Sequence, residues 1–479
     1  MVVALLLALA SPQLGLHAQP CVQGHSKVAA ECGTFGVYEN RAAGSGRIIQ
    51  LHLILLKAAH PAHRAIAFIA GGPGESATPF ASAVADGVFE KGVSTLRDRY
   101  DVLFVDNRGM GRSNPFACIF TPPKDPASYF RQLWPDKLVS ACRKASAAMS
   151  DPGQYNTNNA VDDLNDVRAA FGYPKLVLYG GSYGTFFSMV YLRRHPTHVE
   201  SAVLDAVDAP HFQALPGEPV GAQTALDDLV RKCRRDPVCN KHFPQFGKHF
   251  SALVRRFDDG PLMVPVKTLA LKTPREVKLS KEVFVDQLRH TLYDPQSAAY
   301  IPYVVERAYH FDYAALAQFI DTISQLLTLS VNNGAYLSYS CADLMPFVDE
   351  AQVKAAAAHS FAGDLRVRAQ QRACALWNVP PMPASFNDAV RSDAPVLMIS
   401  ATDDPVTPPR YAEEALRYLP NGKEVLVQGA GHATETPCTD RLIVQFVTKN
   451  SAKGLPVAQC TTTFHPPPFA TSMKGLPTL

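Results

Sequence analysis

The chain has 479 residues, 47% of them hydrophobic and 19% charged, an ordinary globular balance that excludes disorder as the main state and allows a large core with an insertion. Lys and Arg total 46 against 43 Asp and Glu, a net charge of +3, so the strong basic field of a nucleic-acid binder is missing and no nucleic-acid partner is expected. The 38 prolines suit a loop-rich enzyme better than a helical repeat array.

In chain order, the apolar run Val2 to Ala10 reads as the core of a secretory leader, residues 1–18, with Leu16-His17-Ala18 ahead of a cleavage point. No Lys or Arg precedes that run. It is shorter than the ~20 apolar residues of a spanning helix. No later stretch reads as a span, so no stable membrane insertion is expected. The leader implies a secreted or periplasmic protein.

Residues 19–212 read as the first part of an α/β core. RAIAFIA (64–70), YDVLFVD (100–106), KLVLYG (175–180) and ESAVLDA (200–206) are short, apolar and bounded by turn residues, as buried parallel strands are. Between the second and third, Val161, Leu164, Val167 and Phe171 recur at helical spacing and Gly172 can end the helix. Residues 213–392 carry helical patterns such as 281–293 and 313–327 and few strand-like runs, which predicts a mainly helical cap. Residues 393–479 return to the core with APVLMIS (394–400) and KEVLVQ (423–428), then a Pro-rich tail, HPPPFA (465–470), read as an extended surface segment. Strands alternating with helices imply a mostly parallel sheet.

Ten cysteines fall as five sequence neighbours: 21 and 32, 118 and 142, 233 and 239, 341 and 374, 438 and 460. No C-x-x-C is present, which argues against a zinc knuckle or a thioredoxin-type motif. With the leader, the even count suggests five local disulfides in an oxidising compartment. Ten buried thiols in a cytosolic enzyme is the competing reading, since spacing does not determine connectivity.

The strongest chemical signal is Gly180-Gly181-Ser182-Tyr183-Gly184, between a predicted strand and a predicted helix. G-x-S-x-G in that setting is a nucleophile elbow, which lifts a serine hydroxyl clear of the sheet. Serine needs a base to become nucleophilic, and this fold orders its residues Ser, acid, His. Asp403 and Asp404 follow the strand 394–400, and His432 follows the strand 423–428 inside Gly429-Ala430-Gly431-His432. Both are strand-end positions, where open α/β sheets place their sites. The loop Gly71-Gly72-Pro73-Gly74-Glu75 after the strand 64–70 can offer bare N–H groups to an oxyanion, with Gly72 as one donor and the N–H of Tyr183 as the second. It lacks the spacing of a phosphate-binding loop. No metal-ligand cluster appears, and no cofactor is expected.

GGPG, DNRGMGRSN (106–114), GGSYGT (180–185), RRHPTHVESAVLDAV (193–207), DDPVTP (403–408) and GAGH (429–432) occur in this order. Together they resemble the α/β-hydrolase serine peptidases of the proline iminopeptidase and tripeptidyl aminopeptidase type, over about residues 30–465. CRRDPVCNKHFP (233–244), CADLMPF (341–347), CALWNVPP (374–381) and the segment from Cys438 to Cys460 point to the secreted bacterial tripeptidyl aminopeptidase-like branch. The resemblance implies an α/β-hydrolase fold with an inserted helical cap and a Ser182–Asp404–His432 triad. It implies an exopeptidase acting through an acyl-enzyme on a peptide with a free N-terminus. Asp343 matches an acidic position of the family, and Asp343 and Glu75 are the expected contacts of the substrate ammonium. Arg108 and Arg112 are expected to brace their loop. Glu75, Asn107 and Ala433 stand where the family more often has a small residue, Gln and Gly. A carboxylesterase or lipase would use the same triad, and a binding module could keep the fold without the chemistry. Nothing in the sequence sets the oligomeric state.

Overall fold

In the computed structural model the described residues are 13–116, 118, 120, 127, 130–211, 214–267, 275–433 and 435–476. Eleven strands occur among them: β1 Gly15–Gln23, β2 Val28–Tyr38, β3 Ile48–Leu56, β4 Ala65–Ile69, β5 Asp101–Val105, β6 Leu176–Gly181, β7 Val199–Asp205, β8 Leu262–Val266, β9 Arg275–Leu279, β10 Val396–Ala401 and β11 Gly422–Val427. Nine form one sheet in the order β1-β2-β3-β5-β4-β6-β7-β10-β11. The four predicted strands of the first region are β4 to β7, and the two of the last region are β10 and β11. All six run parallel because a helical crossover returns the chain between each pair.

The antiparallel extension β1-β2-β3 was not among the predicted strands. β1 mixes exposed with half-buried residues, and β2, though mostly half-buried or buried, is broken by glycines, a cysteine and polar residues, so neither carries a continuous apolar run. β1 also begins at Gly15, paired to Gly36. Residues 15–18, read above as leader, are therefore the first half of an edge strand, and a boundary after residue 18 would cut it. The apolar run from Val2 to Ala10 lies outside the described residues.

Both faces of the sheet are covered. One packs on the helices Thr157–Ala170 and Tyr183–Arg194, the other on Phe80–Ala85, Lys91–Leu96 and Pro437–Lys449. Val161, Leu164 and Val167 point inward as their spacing predicts, and Asn156 caps that helix through the Asn159 N–H at 3.0 Å. Between β7 and β10 the chain leaves the sheet for a cap of helices with its own apolar core, which also holds the hairpin β8–β9. The tail is irregular, but Phe469, Met473 and Leu476 pack on the cap core, so it is more than a surface segment. The five neighbouring cysteine pairs are all bonded, with Cα separations of 5.1 to 5.8 Å. No helix among the described residues is long and apolar enough to cross a membrane.

Arg108 is fully buried. Its guanidinium meets both oxygens of Asp163 at 2.7 and 2.8 Å and the carbonyls of Glu39 and Gln154. It braces the loop after β5 against the helix 157–170, as expected. Arg112 is exposed, and its backbone N–H, not its side chain, is what the described residues engage, through Asp106 at 3.1 Å, so the expected bracing falls on Arg108. Arg108→Met leaves Asp163 with Arg41 alone among the described residues, at 2.7 Å, and takes the donor from the Glu39 and Gln154 carbonyls, so it is expected to cost about 3 kcal/mol in a denaturant titration. Loss of less than ~1 kcal/mol would mean that the pair is dispensable.

Candidate active site

Ser182 stands between β6 and the helix Tyr183–Arg194 with φ 54° and ψ −123°, a backbone region that L-residues avoid. The flanking glycines explain how the turn closes. A Cβ on Gly180 would lie 2.3 Å from the Gly184 carbonyl oxygen, and one on Gly184 would lie 2.4 Å from that of Ile69. Gly181 has open space around it, so the motif's requirement falls on its outer glycines. The Ser182 N–H is held by the Asp205 carbonyl at 2.9 Å. Tyr183 opens the helix, where N–H groups have no intrahelical acceptor. Its ring is turned into the core, with the phenol on Thr157 at 2.7 Å.

The acid turn follows β10. Asp404 is buried, and its Oδ1 accepts the N–H groups of Val406 and Thr407 at 2.8 and 2.9 Å. Its Oδ2 accepts the Thr407 hydroxyl at 2.7 Å and lies 2.8 Å from His432 Nδ1. Burial alone would raise this carboxyl, but His432 and Thr407 outweigh it and hold it below the usual range. The neighbour Asp403 turns away to Lys232 of the cap. Only one of the two adjacent carboxylates therefore meets the imidazole. Thr407, inside the predicted D-P-V-T-P turn, is the positioning group that the sequence reading did not single out.

His432 is anchored by the cap. Its N–H donates to the Tyr293 carbonyl at 2.8 Å, and the two rings lie 4.9 Å apart. A Cβ at Gly431 would fall 2.2 Å from that carbonyl oxygen, which accounts for the glycine before the histidine. Burial pulls the imidazole down, while Asp404, helped by Asp205, raises it above its ordinary value overall. Asp205, at the end of β7, is itself pushed up to about 7 by burial, with the charge of His432 opposing.

Ser182 and His432 line one cavity of about 580 Å³, together with Gly72, Tyr183, Glu75 and Asp343. The structure thus brings every predicted site residue except the buried Asp404 into the lining of one cavity, and Asp404 is joined to it through His432. Glu75 Oε2 accepts the Gly71 N–H at 3.1 Å, so part of its role is to brace its own loop. Burial raises it, against the Gly71 bond and the charge of His432. Asp343 is divided. Oδ2 takes the N–H and hydroxyl of Thr157 at 2.9 and 2.6 Å, while Oδ1 is buried without a partner. Burial, against the Thr157 bonds, pushes this carboxyl up to about 7. The cavity wall carries six carboxyl groups, on Glu75, Glu90, Asp208, Glu218, Asp286 and Asp343, but one guanidinium, on Arg366. Asp286 is neutralised by Arg366 and Arg289 at 3.1 and 3.2 Å. Glu90 is driven well above the usual range by burial and by Glu435. Among the described residues no group of three or more His, Cys, Asp and Glu could hold a metal ion.

The chain belongs to the alpha/beta hydrolase fold family, whose model matches residues 65–434. It is 24% identical to the serine protease Hip1 of Mycobacterium tuberculosis over 92% of this chain and 90% of that one. It is 25% identical to carboxylesterase B of the same organism over 87% of this chain and 84% of that one. It is 30% identical to the tripeptidyl aminopeptidase of Streptomyces lividans, over 30% of this chain and 29% of that one. The likeness to α/β-hydrolase serine peptidases expected from the motifs is borne out, and so is the fold.

The geometry makes a titration measurable by NMR. A carboxylate beside the ring favours the imidazolium, so His432 is expected to titrate above a free histidine. Asp404→Asn removes that charge and is expected to bring the midpoint down. A midpoint unmoved by the substitution would mean that the pair is not formed in solution.

Proposed function

We propose that the protein is an exported serine aminopeptidase, which releases residues or short peptides from N-termini through an acyl-enzyme. Ser182 Oγ attacks the scissile carbonyl carbon as His432 Nε2 takes its proton. Asp404 holds the other ring nitrogen and stabilises the imidazolium. The N–H groups of Gly72 and Tyr183 receive the oxyanion, a charge that exists only in the transition state. The C–N bond breaks as His432 protonates the leaving amine. Water, deprotonated by His432, then releases the acyl group. No step calls for a cofactor. The five disulfides and the leader-like start support export.

The observation that carries the peptidase reading is the acidic cavity wall. A free α-ammonium needs a carboxylate acceptor, and the unpartnered Oδ1 of Asp343 offers one, with Glu75 as the second candidate. The serine protease and aminopeptidase names among the relatives agree with it. A carboxylesterase is the second reading. It is favoured by the relative of that name and by the aromatic stretch of the wall, with Phe68, Phe80, Phe89 and Phe120.

Arylamides of single residues and tripeptides, each with a free and a blocked N-terminus, separate the two beside a simple aryl ester. Turnover of the free amides alone is expected; turnover of the ester alone would transfer the protein to the esterases. Asp343→Asn is expected to shrink the free-to-blocked ratio about tenfold, the value of one charge-assisted hydrogen bond. An unchanged ratio would leave Asp343 as a helix cap only.

Ser182→Ala is expected to abolish turnover, and Asp404→Asn to lower kcat by about 10³–10⁴. The base must be neutral to act. With His432 raised above its ordinary value, the acid limb of kcat/KM is expected at a higher pH than an unperturbed imidazole would set. A limb that does not move in Asp404→Asn would assign it to another group.

A further inference from the structure

Among the described residues, four buried acceptor oxygens lining the cavity have no hydrogen-bond donor: Asp208 Oδ1, Glu218 Oε2, Gln287 Oε1 and Asp343 Oδ1. Asp343 has its place in the reading above. The other three belong to the junction of cap and core. Asp208 follows β7, Glu218 lies on the first cap helix, Ala214–Arg235, and Gln287 on the helix Lys281–Thr291. Glu218 and Gln287 are 7% and 6% exposed. Asp208 lies within reach of the Glu218 charge and is pushed up to about 7, by burial first.

Their own surroundings satisfy them only in part. Glu218 has one cation beside it: Arg289 Nη1 forms an ion pair with Oε2 at 3.6 Å, longer than a hydrogen bond, and the same guanidinium also meets Asp286 at 3.2 Å and the Tyr293 phenol at 2.6 Å. Asp208 has no ion-pair partner among the described residues. Its backbone, by contrast, is firmly held: the Thr185 hydroxyl bonds both its N–H and its carbonyl. Buried acceptors without hydrogen-bond donors are costly to keep, and three at this junction, two of them carboxylates with Arg289 as their one ion-pair partner among the described residues, call for a group with several N–H donors and a positive charge. An ammonium or a guanidinium is such a group.

The strand order says where that group would sit. Ser182 follows β6, Glu75 follows β4 and Asp208 follows β7, and β6 lies between the other two. The two carboxylates therefore stand on opposite sides of the nucleophile. A peptide acylating Ser182 with its α-ammonium toward Glu75 and Asp343 has the Asp208 side beyond the scissile carbonyl.

We infer that Asp208, Glu218 and Gln287 form a second subsite of this cavity, for the side-chain ammonium or guanidinium of a basic residue adjoining the scissile bond. It rests on the peptidase reading for the identity of the substrate, and the preference it creates is for lysine or arginine next to the cut.

The test uses free-amine peptides that differ only in lysine against norleucine, or arginine against glutamine, on either side of the scissile bond. A pair of aryl esters, one cationic and one a neutral isostere, runs beside them. The readout is the ratio of kcat/KM within each pair, for the wild type, Asp208→Asn and Glu218→Gln. The wild type is expected to favour the cation about tenfold in at least one position, and each variant to bring the ratio to within about twofold of unity. Equal rates in the wild type, or a ratio untouched by both variants, would overturn the subsite. Loss of the free-to-blocked discrimination on neutral peptides in Asp208→Asn would also overturn it, by making these residues the α-ammonium anchor. If no peptide reacts and the ester does, the peptidase reading falls, and the ester pair alone decides whether a cation binds here.

Discussion

The architecture turns on a close approach of backbones at the nucleophile. Gly180 lies against the Gly184 carbonyl and Gly184 against the Ile69 carbonyl, closer in each case than a Cβ permits. This contact brings the end of β4, the end of β6 and the first turn of the helix Tyr183–Arg194 into one knot. Ser182 bears the strain of the turn in its positive φ. The parallel core gathers the loops after β4, β6, β7, β10 and β11 at one edge. The knot determines which of them face the hydroxyl.

The cap is part of that edge. Lys232 of its first helix binds Asp403 and reaches the Gly429 carbonyl at 3.4 Å, next to the turns that carry Asp404 and His432. Tyr293 holds the His432 backbone and is itself fastened by the buried Arg289. The two loops that orient the imidazole are thus attached from above as well as from the sheet. Movement of the cap along this side would disturb the histidine, which makes a rigid cap here a condition for a stable Asp404–His432 pair.

The cavity is electrostatically one-sided. Its one lining guanidinium is paired with Asp286, while Glu75 and Asp343 have only neutral hydrogen-bond donors among the described residues, the Gly71 N–H and Thr157. Burial raises several of the lining carboxyls, which lessens their mutual repulsion when the cavity is empty. An incoming cation reverses the balance by stabilising their charged forms. Such a wall discriminates by charge more than by shape.

The nucleophile, the histidine and the six parallel strands were legible because each has a local cause: a glycine-bounded turn, or a run of apolar residues buried on both faces. The same logic found the helix 157–170 and the disulfides between neighbouring cysteines. β1 escaped because a half-exposed edge strand lacks such a run and its residues overlap the leader, and β2 because glycine, cysteine and polar residues interrupt it; β3 does carry a buried apolar run, Leu53 to Leu56, and was legible on the same grounds, though not among the predicted strands. The choice between Asp403 and Asp404 rested on family likeness, since adjacent carboxylates look alike along a chain; Thr407 on one side and Lys232 on the other separate them in space. Asp208, Glu218 and Gln287 carry no motif at all. By itself the sequence determined the chemistry that depends on local backbone geometry, the elbow and the loops after the strands. Only the tertiary structure decided which carboxylates are paired and which are left without a donor, because pairing depends on what the cap brings against them from distant parts of the chain.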